Sequence, residues 1–296
     1  MSKQQVTTAD WAFLCPICKT AVQTTCWVCV NGHQFGEKDG VRQLMTVAYK
    51  ERLAQFHEVF MAQRLADGQR LADDAYRELP FGQPNYLPHE WRLRQVDWGV
   101  MVKLLGGERP LQILEIGAWL GWLTHWLVRW GHDVVAVDHF NDPYDGLAAK
   151  QFYEQDWLAV QMNVTDLSVF GTRQFDRVII NRSLQFFVDP IGYVQTASRL
   201  VKPGGELILL GLSFVRDVTA RIEGLAQLQA RLQAGGTDFF VPVRGYLTVA
   251  DRQELKRIGV QIRPYWRLWG ANVRSLVIKE RPWHGYGLFK VGNDET

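Results

Sequence analysis

Residues 111–140 read LQILEIGAWLGWLTHWLVRWGHDVVAVDHF, and this stretch decides the fold. Leu111 to Ile116 is an apolar, branched run that suits a strand buried on both faces of a parallel sheet. Gly117 and Gly121 punctuate it, and Trp122, Leu123, Trp126, Leu127 and Trp130 then recur at helical spacing until Gly131 closes the helix. The tryptophans at that spacing are read as core filling rather than a ligand cage. Val134 to Val137 makes a second short strand, ending at Asp138. The whole is one β-α-β unit. Glycines between strand and helix let a ligand approach the backbone, and an acid ending the second strand can accept ribose hydroxyls. Asp138 stands 21 positions after Gly117, near the spacing such an acid requires. A dinucleotide fingerprint would need glycine at Trp119, which disfavours a dehydrogenase.

Working outward, Phe175-Asp176-Arg177-Val178-Ile179-Ile180-Asn181 reads as a strand ending in a polar residue. Leu200-Val201-Lys202-Pro203-Gly204-Gly205-Glu206-Leu207-Ile208-Leu209 reads as a helix end, a Pro-Gly-Gly turn and another strand. Together with Glu115-x-Gly117-x-x-x-Gly121, these segments resemble three successive motifs of the class I S-adenosylmethionine-dependent methyltransferases, over roughly Trp91 to the C-terminus. The resemblance implies an α/β, Rossmann-like domain with a seven-stranded, mostly parallel sheet, and S-adenosylmethionine as cofactor. It implies cofactor-binding roles for Glu115, Gly117, Ala118, Trp119, Gly121, Asp138, Asn163, Val164 and Asn181. In that family the acid at Asp138 holds the ribose. The adenine amino group is met at the end of the third strand, by Asn163 or by its nearest competitor, Asp166. Trp119 departs from the pattern, since many members have glycine there; the chain can turn with its side chain directed away.

All four cysteines fall in one short stretch, as Cys15-Pro16-Ile17-Cys18 and Cys26-Trp27-Val28-Cys29. A disulfide framework is one reading, but such clustering in a chain expected to be cytoplasmic favours structural zinc. Cys15, Cys18, Cys29 and His33 resemble the ribbon at the front of the bacterial 23S rRNA guanine-N1 methyltransferases, with Cys26 as the alternative fourth ligand. The continuation Lys38-Asp39-Gly40-Val41-Arg42-Gln43-Leu44-Met45 resembles the closing strand of ribbons of the tRNA-methyltransferase activator type. The expected organisation is a ribbon over 1–46, a helical linker or lid over 47–90, and a methyltransferase domain over 91–296 with a helical insertion near 214–235. Pro80 to Pro88 is a loop, either lid or linker, and Val260 to Trp269 and Gly285 to Val291 supply the last antiparallel strands.

The chain has 296 residues and a formal net charge of +2, too small to argue for a nucleic-acid or anionic-membrane partner, although a local patch would suffice. The start is polar and no apolar run approaches about 18 residues, so no signal peptide and no membrane partner are expected. Methyl transfer from a sulfonium needs alignment and exclusion of water, and a base only when the acceptor must lose a proton. No base is evident: Gln185 stands where the family often has histidine, His125 and His132 sit in or beside the first helix, and Asn181 is the one candidate for orienting an acceptor. Arg92 and Arg94 either meet a ligand carboxylate or pair with local acids. The expected function is methyl transfer to a small metabolite or an RNA base, with a protein partner at the ribbon possible. The alternative is a non-catalytic scaffold of the same fold, favoured by Trp119 and Gln185.

Overall fold

The computed structural model describes residues 11–82 and 88–293. The N-terminal part opens with three short strands, β1 (Phe13–Leu14), β2 (Ala21–Gln23) and β3 (Val28–Cys29), which form a small antiparallel sheet. A hairpin follows, β4 (Glu37–Lys38) and β5 (Val41–Leu44). Helix α1 (Val47–Ala66) is started by Thr46, whose hydroxyl accepts the Tyr49 N–H, and it buries Leu53 and Phe56. A 3-10 turn (Ala75–Glu78) leads to α2 (Pro88–Leu105). The loop expected over Pro80–Pro88 lies partly outside the described residues.

The β-α-β unit is present as β6 (Gln112–Ile116), α3 (Trp122–Arg129) and β7 (Asp133–Asp138). Beyond it come β8 (Leu158–Met162), β9 (Phe175–Asn181), α4 (Pro190–Ser198), β10 (Val201–Val215) and α5 (Thr219–Ala234). The chain ends with β11 (Leu247–Thr248), α6 (Val249–Arg257), β12 (Gln261–Pro264), α7 (Trp269–Val277) and β13 (Trp283–Lys290). The start of α6 is a capping box in which Thr248 and Asp251 satisfy each other's backbone donors.

Seven of these strands run in the order β8-β7-β6-β9-β10-β13-β12, parallel except for β13, which is antiparallel to both neighbours. This is the Rossmann-like methyltransferase sheet. Its branched apolar strands are buried on both faces, with Ile113, Leu114, Val135, Val137, Ile179 and Ile180 almost fully shielded. The connection order reverses between β6 and β9, so the crevice at their carboxyl ends is the switch point where such sheets bind ligands.

The structure departs from expectation in two places. The sheet has ten strands, because β5 pairs in parallel with β8, β4 extends that edge, and β11 pairs with β10. The segment expected to close the ribbon therefore belongs to the large sheet, held by the register Arg42 to Val160 and Leu44 to Met162. The second departure lies at Val260–Trp269, read above as a strand: β12 stops at Pro264, and a 3-10 turn (Trp266–Leu268) leads into α7. A proline at 264 removes a backbone donor and ends the ladder there.

Candidate functional site

Glu115 is fully buried on β6, one residue before the end of that strand. Its Oε2 accepts from Thr124 Oγ1 at 2.6 Å and its Oε1 from Asn181 Nδ2 at 2.7 Å. Burial pushes its carboxyl up to about 7, against the lowering effect of those two bonds. The chain then turns through Gly117, at φ +77°, where an added Cβ would stand 2.6 Å from Ser183 Oγ. Gly121, at φ +73°, starts α3, and its missing side chain leaves room for the Trp157 ring. Between them the N–H groups of Gly117 and Ala118 both donate to Val137 O, which locks the loop onto β7.

Asp138 ends β7 at the mouth of this loop. Its Oδ2 accepts from Trp119 N at 2.9 Å and its Oδ1 from Phe140 N at 3.2 Å. Each oxygen keeps a further lone pair, enough for a ribose diol. Burial raises this carboxyl to about 6. Trp119 has a positive φ of 48°, so it takes the left-handed turn that glycine would take. Its indole Nε1 donates to Asp145 Oδ1 at 2.6 Å, and the ring stacks on Trp91 at 5.9 Å with the Arg64 and Arg94 guanidinium groups over it.

Asn181 ends β9 on the other side of the switch point. Its Nδ2 is spent on Glu115, while its Oδ1 is buried and has no hydrogen-bond partner. Asn163 follows β8, but its Oδ1 accepts from both Thr165 N and Thr165 Oγ1, so only its Nδ2 hydrogens remain to offer. An adenine amino group is a donor and would need that oxygen. Val164 is buried beside it, with its carbonyl taken by the Tyr193 hydroxyl at 2.5 Å. Asp166 is turned to Ser168 and Lys19 instead. Gln185 donates to Arg182 O at 2.6 Å. His125 stacks on Tyr153 in the core, and His132 bridges Leu111 N and Leu105 O, so both are packing residues.

Sequence reasoning missed a charged cluster at the same strand ends. Asp97 of α2 is fully buried; it accepts from Arg182 Nη1 at 2.8 Å and from the Tyr265 hydroxyl. Tyr265 in turn receives Gly211 N at 2.8 Å. Arg94 pairs with Glu90 at 3.2 Å, and burial, with the nearby Arg182 charge, pulls it down to about 10. An acid at a core-facing phase, midway between Leu93 and Met101, was the one available signal. Helix α1 packs over the same end: Tyr49 and His139 Nδ1 lie 2.5 Å apart, and Arg64 pairs with Asp145.

Some distance away, Cys15, Cys18, Cys29 and His33 bring their ligand atoms within 4.8 Å of one another. Cys18 Sγ is 3.7 Å from Cys29 Sγ, and His33 Nδ1 is 3.6 and 3.4 Å from Cys15 and Cys29 Sγ. Zn–S bonds of about 2.3 Å and Zn–N bonds of about 2.0 Å in a tetrahedron imply edges of roughly this length. Cys26 is apart from the group, exposed, with its thiol toward Gln23. A cavity of about 590 Å³ between Trp27, Arg42, Lys150 and Trp157 is lined by none of the residues gathered at the strand ends.

A family model described as a methyltransferase domain matches residues 114–209. The ubiquinone biosynthesis O-methyltransferase of Xanthomonas oryzae pv. oryzae is 30% identical over 164 residues, 53% of this chain and 68% of that protein. The enzyme of the same name from Cereibacter sphaeroides is 28% identical over 177 residues, 57% of this chain and 70% of that one. Among solved structures, Burkholderia thailandensis 1,6-didemethyltoxoflavin-N1-methyltransferase is 16% identical with a TM-score of 0.43, over 84% of this chain and 92% of that one. The chain belongs to the class I S-adenosylmethionine-dependent methyltransferases. The scaffold alternative loses one of its two grounds, since Trp119 makes the required turn with its indole held on Trp91 and Asp145. No described helix is long and apolar enough to cross a membrane.

Proposed function

We propose that this methyltransferase acts on a small-molecule acceptor held at the carboxyl ends of β6 and β9, with Asn181 orienting it. The observation that carries this is the buried, partnerless Oδ1 of Asn181, whose amide is held in one orientation by Glu115. A buried acceptor atom left unpaired costs about 1–3 kcal/mol, and a ligand O–H or N–H arriving there removes the cost. The relatives named as O-methyltransferases support a hydroxyl as the acceptor group. S-adenosylmethionine supplies an activated methyl group. Asp138 would hold its ribose, the turn from Gly117 through Ala118 and Trp119 to Gly121 its methionine part, and Asn163 and Val164 its adenine side. Asn163 must first release its oxygen from Thr165 for that contact.

Neither Gln185, an amide, nor Glu115, with both oxygens taken, can act as a base on an acceptor. This favours an acceptor hydroxyl acidic enough to ionise unaided, aligned beside the Arg94 and Arg182 guanidinium groups. RNA is the weaker acceptor class: the first 50 residues carry five Lys or Arg against three acids, and a backbone-binding groove needs more. The N-terminal cluster is proposed as a ribbon similar to that of the rRNA guanine-N1 enzymes, with structural zinc on Cys15, Cys18, Cys29 and His33. All four positions are then filled by protein, which leaves the metal no catalytic role.

Calorimetric titration of the zinc-loaded protein with S-adenosylmethionine and S-adenosylhomocysteine tests the assignment. Micromolar binding that is lost in Asp138→Ala but kept in Asn181→Ala, with turnover of phenolic acceptors lost in the latter, is expected. Full turnover in Asn181→Ala would remove its orienting role.

A further inference from the structure

Helix α7 is inside out. Its polar residues Asn272 and Ser275 are buried against the protein, where Asn272 Nδ2 donates to His284 O at 2.8 Å and Asn272 Oδ1 accepts from His284 N at 2.7 Å. Ser275 donates its hydroxyl to Asn272 O, and Arg216 donates to Ser275 O. The opposite face carries Trp269, Val273, Leu276 and Val277, at intervals of four, three and one residues, which spans an arc of about 100° on a helix. These side chains meet solvent: Trp269 is 63% exposed, Leu276 69% and Val277 81%, while Trp266 on the preceding turn reaches 84%. Val273 and Ile278 complete an apolar patch of six large side chains. A scattered exposed leucine needs no explanation, but a contiguous patch of this size does.

The rim of the patch is cationic. Residues 263–281 hold Arg263, Arg267, Arg274, Lys279 and Arg281 against the single acid Glu280, and all five cations are exposed. None of the five forms an ion pair among the described residues. The segment's net +4, from five cations and one acid, exceeds the +2 of the whole chain, so the average charge conceals it. Tryptophans beside aliphatic side chains, ringed by arginine and lysine, match the chemistry of a surface that lies in the headgroup layer of a bilayer. A second copy of this chain would bring five like charges against five.

We propose that the Trp266–Arg281 face is a docking site for an anionic lipid bilayer surface, with α7 lying in the plane of the interface. This departs from the expectation of no membrane partner, which rested on whole-chain charge and on the lack of a spanning run. The face is anchored next to the candidate site: Tyr265, immediately before it, is tied to Asp97, which holds Arg182 beside Asn181. Docking would therefore present the acceptor side of the crevice to the membrane. The inference stands on α7 alone and does not depend on which acceptor is methylated.

Co-sedimentation of the zinc-loaded full chain with vesicles tests it, using phosphatidylcholine alone and phosphatidylcholine containing about one third phosphatidylglycerol. Binding to the anionic vesicles that weakens with salt is expected. Each cation facing such a surface adds about fivefold in affinity, so Arg267→Glu with Arg274→Glu should weaken binding by roughly thirtyfold or more. Leu276→Ser with Val277→Ser should abolish it while leaving thermal unfolding unchanged. Absence of binding, or binding unaltered in both variants, would overturn the proposal. A dimer in light scattering that the Leu276→Ser and Val277→Ser pair converts to monomer, without lipid binding, would assign the face to a second copy and equally overturn it.

Discussion

Asn181 Nδ2 donates to Glu115 Oε1 at 2.7 Å, so the ends of β9 and β6 are joined beneath the glycine turn by a side-chain bond as well as by the backbone ladder. One atom of the amide is thereby immobilised and the other is left buried without a partner. Replacing Asn181 by Asp should put two carboxylates in contact. Both the variant's stability above neutral pH and its turnover should fall, and thermal unfolding at pH 6 and pH 8.5 would show the difference growing with pH.

Glu115 carries a pH signature of its own. Its folded value, about 7, lies above the ordinary 4.5, and Asp138 moves the same way, from 3.8 to about 6. Folding therefore favours the protonated forms. The stability they contribute is complete below about pH 4 and is lost as pH rises through 6 to 7, on the order of 3 kcal/mol for Glu115. Glu115→Gln, which cannot ionise, should gain in melting temperature relative to wild type between pH 5 and pH 8. An unchanged difference would mean that Glu115 is already charged at pH 5.

At Gly117 two costs coincide. A side chain there meets Ser183 Oγ at 2.6 Å and must adopt φ +77°. Gly117→Ala should lose about 2 kcal/mol or more by denaturant titration. Combining it with Ser183→Gly should recover the steric part and leave the backbone part.

The buried Asp97–Arg182 pair gives a sharper stability test. Asp97→Ala leaves the Arg182 guanidinium only its longer contact to Glu90, at 3.7 Å, and should cost about 3 kcal/mol. Tyr265→Phe, which removes one bond to the same carboxylate and leaves the buried Gly211 N–H without its acceptor, should cost about 2 kcal/mol.

Zinc can be counted directly. Metal analysis should find one equivalent, retained in Cys26→Ser and lost in Cys15→Ser and Cys29→Ser, with an S₃N first shell by X-ray absorption. Retention in His33→Ala with loss in Cys26→Ser would reverse the ligand assignment.

The β-α-β unit was legible because its determinants are local. Branched runs, two glycines and a terminal acid sit within thirty residues, and parallel strands buried on both faces leave no other pattern. The charged cluster was not, since Asp97, Arg182 and Tyr265 are 85 and 168 positions apart and each looks ordinary alone. Helix α7, just beyond the strand expected over Val260–Trp269, was not legible for a different reason. Periodicity identifies the face that is apolar, and here that face points outward, so the usual inference from pattern to core runs backwards. The pairing of β5 with β8 was hidden because Val41–Leu44 suits any sheet edge, and nothing in four residues names the neighbour.

That pairing changes what the N-terminal segment is to the rest of the chain. Residues 11–46 also lay Trp11 on Phe175, hydrogen-bond Ala12 to Gln174 and fasten Lys19 to Asp166. Cutting the chain before α1 would therefore not free a catalytic unit from an appendage. It would strip β5 from β8 and turn an interior strand into a bare edge, open to the strands of other molecules.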